Sequence, residues 1–390
     1  MHARNYGTAP LALTLTGAIS FGVLACGGGP KTVRIAVAGP LSGPSAHYGN
    51  EQLEGARVAV TQANAAGGVL GRQVEMVIVD DKGDVKKGGE AALDLAQDYS
   101  ILAVVGHPNS SVAMLASDVY DQYHIPFIAT VATTPKLTQK GNTWTFRICP
   151  TDELQGPLAA ELAYTNMGKK TFALLDDGSA YGIGAAEQFG RKVETLGGKV
   201  LTLEQIVPGK QDYRDELGKI AQLKPEVLYF AGLYPEAARI VKQARELGMQ
   251  ATFMAPDGAY DPGFLAEAGP AAEGSIVSFL AASWEQSPRA KAFDKAYTAT
   301  HPRVDPLAPY GYDAINVVLA AIKRAGKLDR SAIRAALADP GFSFDGVTGP
   351  IAFDKDRQLK DGRFYFYRVE GGVFHPFEAP APPATPPTKP

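Results

Sequence analysis

Short apolar runs alternate with longer amphipathic segments along most of this sequence, and each apolar run stops at Gly, Pro, Ser, Thr or Asp. Val33 to Val37, Gln73 to Val79, Ile101 to Val105, Pro126 to Thr130 and Trp144 to Ile148 read as strands. Between them Glu51 to Ala66, closed by Gly67-Gly68, then Glu90 to Gln97 and Ser111 to Tyr123, read as helices. The pattern restarts after Pro150. It gives helix Gly156 to Met167, strand Thr171 to Leu175, helix Ile183 to Leu196, strand Lys199 to Ile206, helix Tyr213 to Leu223, strand Val227 to Ala231, helix Glu236 to Leu247 and strand Thr252 to Ala255. Strand and helix in strict turn predict parallel sheets covered on both faces. A chain of 390 residues that runs the pattern twice predicts two α/β lobes instead of one core.

In a parallel sheet, ligands bind outside the carboxyl ends of the strands. Two consecutive strand ends stand out. Ile101 to Val105 ends in Gly106-His107-Pro108-Asn109-Ser110-Ser111, with the apolar stripe Val112, Leu115, Ala116 and Val119 beyond it. Ile125 to Ala129 ends in Thr130-Val131-Ala132-Thr133-Thr134-Pro135. Both offer hydroxyls and backbone N–H groups at a helix start and neither offers Lys or Arg. Such a pair suits one small carboxylate and not a polyphosphate. Ser110 also suits an ordinary helix cap.

Gly106-His107-x-x-Ser110-Ser111, Ala116-Ser117-Asp118 and Thr133-x-Pro135-x-Leu137-Thr138 resemble the leucine/isoleucine/valine-binding proteins, the periplasmic substrate-binding components of branched-chain amino-acid ABC transporters. Further matching landmarks are Ala38-x-Pro40-x-Ser42-Gly43-Pro44, Tyr48-Gly49, Val79-Asp80-Asp81, Gln155-Gly156-Pro157, Tyr181-Gly182, Phe253-Met254-x-Pro256-x-Gly258 and Gly346-x-x-Gly349-Pro350, and the resemblance runs from about Val33 to about Phe374. It implies the type I periplasmic-binding-protein fold: two doubly wound α/β lobes joined by a multi-strand hinge, with a cleft that closes over ligand. The implied boundaries are 33–149 with 281–350 for lobe 1, and 150–280 with 351–375 for lobe 2. Gly349 to Phe353 and Arg363 to Val369 would be closing strands.

The resemblance also implies roles. Ser110 and Thr133 match residues that bind the ligand α-carboxylate, and Val131, with Ala132 in the same loop, matches a position whose carbonyl accepts from the α-ammonium. Asp257 falls where the family has Glu, the counter-charge for that ammonium. Tyr48 and Tyr181 match aromatics on the two sides of the ligand, and the family's second-lobe aromatic aligns with Leu233 instead of Tyr234. Tyr48, Val131 and Leu233 would give the side chain an apolar wall with no charge to hold a polar one, so the expected ligand is Leu, Ile or Val. Asp257 in Pro-Asp-Gly also suits a plain turn, and Tyr181 beside Gly182 plain loop packing. Related proteins often carry a disulfide near the first binding loop. Its positions here correspond to Gly83 and Asn109, so the bridge is missing.

The first 26 residues read as an export signal. Leu11 to Leu24 is apolar but interrupted by Thr14, Thr16, Gly17 and Ser20, too short for a transmembrane helix. Val23-Leu24-Ala25-Cys26 resembles a lipobox, which implies lipidation at Cys26, a periplasmic or cell-envelope location, and residues 27–32 as a tether. Residues 376–390, rich in Pro and Ala, read as a tail. The formal charge of -3 gives no basic footprint for nucleic acid. There is no phosphate-binding Gly-x-x-x-x-Gly-Lys loop, no His-Glu-x-x-His and no Gly-x-Ser-x-Gly, and the six histidines are scattered. The expectation is therefore a monomeric receptor with no enzymatic activity, cofactor or metal, whose partners are an amino acid and ABC permease subunits. The alternative is a binding or sensor protein for a small aromatic acid, urea or an amide.

Overall fold

The computed structural model describes residues 1–3, 32–281 and 288–378. The export segment, Cys26, and residues 379–390 lie outside the described residues. The compact unit begins at Thr32. Its first passage runs β1 (Thr32–Gly39), α1 (Ala46–Ala65), β2 (Gln73–Asp80), α2 (Val85–Gln97), β3 (Ile101–Gly106), α3 (Ser110–Gln122), β4 (Phe127–Ala129), α4 (Lys136–Gln139) and β5 (Thr145–Arg147). The second runs α5 (Asp152–Glu161), β6 (Thr171–Asp176), α6 (Ala180–Thr195), β7 (Lys199–Gln205), α7 (Arg214–Leu223), β8 (Val227–Ala231), α8 (Tyr234–Glu246), β9 (Thr252–Ala255), α9 (Pro262–Ala268) and β10 (Ile276–Phe279). Then come α10 (Pro288–Tyr297), α11 (Ala308–Ala325), α12 (Arg330–Ala338), β11 (Phe344–Asp345), β12 (Pro350–Ile351), β13 (Tyr365–Glu370) and β14 (Val373–Pro376).

The strands form two main sheets. One has five strands in the order β2-β1-β3-β4-β5, all parallel. The other has seven in the order β14-β13-β10-β9-β8-β6-β7, parallel from β10 to β7, with β13 and β14 added antiparallel at one edge. Every residue of β3 and of β8 is buried, as a strand covered on both faces requires. Helices α10 to α12 belong with the first sheet: α11 packs on α1, β3 and β4, and α10 on α1.

Most of the alternation read from the sequence is present, with corrections at the ends. The helix expected from Gly156 begins at Asp152. Leu154 and Gln155 donate to the Thr151 carbonyl, so an earlier turn forms, and Pro157 withdraws only one N–H from it. The strand expected over Gly349 to Phe353 is only Pro350–Ile351, paired with Phe344–Asp345 in a small separate ladder. Strand β10 lies inside the second sheet, between β9 and β13, so the chain does not leave that sheet before Phe279.

Both sheets reverse strand order at one place. In the first, β1 sits between β2 and β3; in the second, β6 sits between β7 and β8. Loops that leave the strands on either side of such a point diverge and open a crevice. Gly106, at the end of β3, adopts φ +123°, and a Cβ there would stand 1.9 Å from the Ala38 carbonyl oxygen. Only glycine brings this loop so close to β1. His107 then locks the loop from within: it is fully buried, with Nδ1 2.7 Å from Asp81 Oδ2 and Nε2 2.8 Å from Tyr120 Oη.

Candidate functional site

The two crevices face each other across one partly open cavity of about 120 Å³. A volume of this size accepts on the order of ten water-sized groups, about the heavy-atom count of a small amino acid. The first sheet contributes Tyr48 and Glu51 on α1, Gly83 after β2, Pro108 to Ser111 after β3 and Val131 after β4. The second contributes Asp177 and Ser179 after β6, Tyr181 on α6, Leu233 after β8, and Asp257, Gly258, Tyr260 and Asp261 after β9. Leu307, just before α11, completes the wall.

Two helices begin at this cavity, one from each sheet. Asn109 and Ser110 open α3, and Ser179 caps α6 by accepting from Gly182 N at 2.9 Å. Their N-termini touch directly, since Ala180 N donates to Ser111 Oγ at 3.0 Å. Two helix dipoles and several free N–H groups thus converge, an arrangement that favours an anion. No lysine or arginine stands among the described residues of the wall. A carboxylate here would be held by neutral donors.

Asp257 faces the opposite need. Its Oδ1 accepts from Gln155 Nε2 at 2.7 Å and from Tyr181 Oη at 3.0 Å. Oδ2 accepts nothing among the described residues. Burial pushes the carboxyl up to about 6, against the lowering effect of Gln155 and Tyr181. Gly258 keeps this loop tight, because a Cβ there would meet the Gly232 carbonyl oxygen at 2.7 Å. The Gly258 peptide is held on both sides: its N–H donates to Tyr181 Oη at 2.8 Å and its carbonyl accepts from Tyr48 Oη at 2.7 Å. Tyr48 Oη also accepts from Tyr234 N at 3.3 Å. Tyr48 belongs to α1, so this hydroxyl ties the two lobes together. His47 adds a cross-cleft ion-pair contact, Nε2 to Asp261 Oδ2 at 3.0 Å, without hydrogen-bond geometry.

The sequence-derived candidates divide into two layers. Tyr48, Ser110, Val131, Tyr181, Leu233 and Asp257 line the cavity. Ala132 and Thr133 do not; both are fully buried behind it. Their carbonyls are committed elsewhere, Ala132 O to Arg147 Nη1 and Thr133 O to Asp152 N. The Thr133 hydroxyl has no partner in good geometry, nor has either Asp152 oxygen. Burial pushes Asp152 up to about 8, the neighbouring Thr133 hydroxyl opposing. Tyr234 stands outside the wall, edge-on to His47 at 4.7 Å between ring centroids. Gly83 and Asn109 are neighbours, since a Cβ on Gly83 would lie 3.5 Å from Asn109 Oδ1. Among the described residues the free cysteine is Cys149, buried, its thiol pushed up by burial.

Sequence reasoning missed Glu51, Tyr260, Asp261 and Leu307. The wall is not wholly apolar, because Glu51 stands in it three residues after Tyr48. That spacing puts both on one face of α1 and was a usable signal. Asp261 and Tyr260 follow Asp257 within one short helical turn and the residues just after it. Leu307 arrives from a distant part of the chain and has no local signal.

A family model described as "Periplasmic binding protein" matches residues 32–373. The leucine-, isoleucine-, valine-, threonine- and alanine-binding protein of Pseudomonas aeruginosa is 34% identical over 359 residues, 91% of this chain and 93% of that one. Among solved structures, the leucine-binding protein LivK of Thermotoga maritima superposes with a TM-score of 0.82 at 29% identity, covering 89% of this chain and 98% of its own. The branched-chain amino-acid transporter substrate-binding protein LivJ of Streptococcus pneumoniae, in complex with isoleucine, gives 0.81 at 29% identity over 88% and 98%.

Proposed function

The chain belongs to the periplasmic binding protein family, and we propose that it is an extracytoplasmic receptor that captures one small amino acid between its lobes and delivers it to the permease of an ABC transporter. The observation that carries this reading is the pairing of opposite ends in one cavity between the lobes. Two helix N-termini and Ser110 serve an α-carboxylate; the free oxygen of Asp257 serves an α-ammonium. A buried zwitterion must have both ends satisfied, because an unpaired buried charge is very costly. The carbonyl of Val131 stands in the same wall as a further acceptor. Tyr48, Leu233, Tyr260 and Leu307 supply apolar surface for a branched-chain body such as Leu, Ile or Val. No metal or cofactor is needed, and binding rather than chemistry is the activity.

Thermal shift and calorimetry on ligand-free protein test the reading. Leucine, isoleucine or valine should raise the melting temperature in a concentration-dependent way. The des-amino analogue 4-methylpentanoate should not. If that acid binds as well as leucine, the zwitterion assignment is wrong and a carboxylic-acid receptor replaces it.

The same reading places a lipid anchor at Cys26 in the cell envelope. Cys26→Ser should release the protein from the membrane into the soluble exported fraction. Wild-type protein that takes up no labelled fatty acid in the producing cell overturns the anchor and leaves the receptor untouched.

A further inference from the structure

Glu51 is the one carboxylate of the first lobe among the described residues that line the cavity. It projects from α1 three residues after Tyr48, whose hydroxyl bridges the cleft. Its Oε2 accepts from Leu307 N at 2.9 Å, which fixes the carboxyl group against the wall. Oε1 has no hydrogen-bond partner among the described residues. One oxygen is anchored, and the other is left to meet a ligand in the cavity that Glu51 lines, the same division found at Asp257.

Glu51 and Asp257 serve different ends of the cavity. The charged groups felt by Glu51 are Asp261 across the cleft and Asp305 and Arg303 in the segment before α11. Asp257 instead answers to Gln155 and Tyr181. Asp261 does not neutralise Glu51; it is itself a carboxylate, engaged by Gly263 N and His47. With the α-ammonium served by Asp257, the acceptor at Glu51 is left for something else. A purely aliphatic side chain would seal Oε1 away from water with nothing to bond, which is the costly case for a buried polar group.

Resting on the amino-acid reading above and changing only its choice of side chain, we propose that Glu51 is a specificity residue that recognises a hydrogen-bond donor on the ligand side chain, so that a small amino acid ending in a hydroxyl, amide or ammonium group is preferred over the Leu, Ile or Val that the apolar surface alone suits. Burial pushes the Glu51 carboxyl up to about 8, with Asp261 and Asp305 adding to the rise. A ligand donor supplies the missing partner for the ionised form. A cationic donor also offsets the wall's carboxylates, Glu51, Asp177, Asp257 and Asp261.

Near-isosteric pairs isolate the donor from size: threonine against valine, and asparagine against leucine. Calorimetry on the wild type should show the donor-bearing member of at least one pair binding about tenfold tighter or better. In Glu51→Leu that ratio should fall to about one or invert. Glu51→Gln keeps an acceptor for Leu307 N and guards against a folding defect; it should also lower the ratio, with a cooperative thermal transition retained. Tighter binding of the aliphatic member in both pairs by the wild type overturns the role of Glu51 and leaves the receptor reading standing. A ratio unchanged in both variants does the same. Failure of every amino acid to bind overturns both readings together.

Discussion

Asp257 and Glu51 are both half-buried carboxylates that line the cavity with one oxygen anchored, yet their anchors differ. Asp257 accepts from two side-chain donors, Gln155 on α5 and Tyr181 on α6, and its pKa settles at about 6. Glu51 accepts from a single backbone N–H and feels two further carboxylates, and its pKa rises to about 8. Burial alone would push both upward; the donors already in place and the charges nearby decide how far. The Asp257 end is built to hold a negative charge whatever the ligand. The Glu51 end holds one only when the ligand helps. The first suits a feature every amino acid shares, the second a feature only some carry.

The largest effect should follow from removing the anchored charge. Asp257→Ala would leave a buried α-ammonium without its counter-charge and should cost about 2–5 kcal/mol of binding for any amino acid. Glu51→Leu should leave leucine and valine affinities unchanged or improved. Calorimetry on both variants with the same ligands decides. A uniform loss in Glu51→Leu, or a ligand-dependent loss in Asp257→Ala, would break the division between a common end and a selective end.

How much of this division was legible in the sequence follows from where its residues sit. Two lobes of parallel sheet were legible, because the strand–helix alternation stops and restarts at Pro150. That Ser110, Tyr181 and Asp257 meet at one cavity was also legible, because all three stand just after strand ends, in short motifs whose residue types suit a carboxylate and an ammonium. The selective end was not read. Glu51 lies inside a helix, where a glutamate is ordinarily a solvated residue, and only the approach of Leu307 from a distant segment encloses it. Asp261 and Tyr260 are brought in by the turn that follows Asp257, and their distance from Tyr48 along the chain hides the contact. Thr133 is the opposite case: it stands at a strand end as Ser110 does, yet it lies buried behind the cavity wall with its carbonyl engaged by Asp152 N, and a strand-end position alone does not tell a residue that lines a cavity from one that backs it.

The smallest effect, and the sharpest separation of the two ends, should appear in the pH dependence of the ligand-free protein. Both carboxyls are raised above their ordinary values, so each binds its proton more tightly in the folded chain than in the unfolded one. The stability each contributes is full below the ordinary carboxyl range and is lost as pH rises. For Asp257 the loss runs from about 4 to about 6, and for Glu51 from about 4.5 to about 8. Asp152, also raised to about 8, adds a background loss across the same range. Neutral replacements remove one share each. Asp257→Asn should flatten the melting curve between pH about 4 and about 6, and Glu51→Gln between about 4.5 and about 8, so that above about 6 only Glu51 of the two contributes, by about 2 °C in melting temperature. A bound amino acid should restore the difference at the Asp257 end, since its ammonium favours the charged carboxylate and draws that pKa down. Differential scanning calorimetry from pH 4 to about 9, with and without ligand, reads all of these. Parallel curves for wild type and Glu51→Gln above pH about 6 would mean that Glu51 is as well satisfied as Asp257, and the contrast between the two ends would disappear.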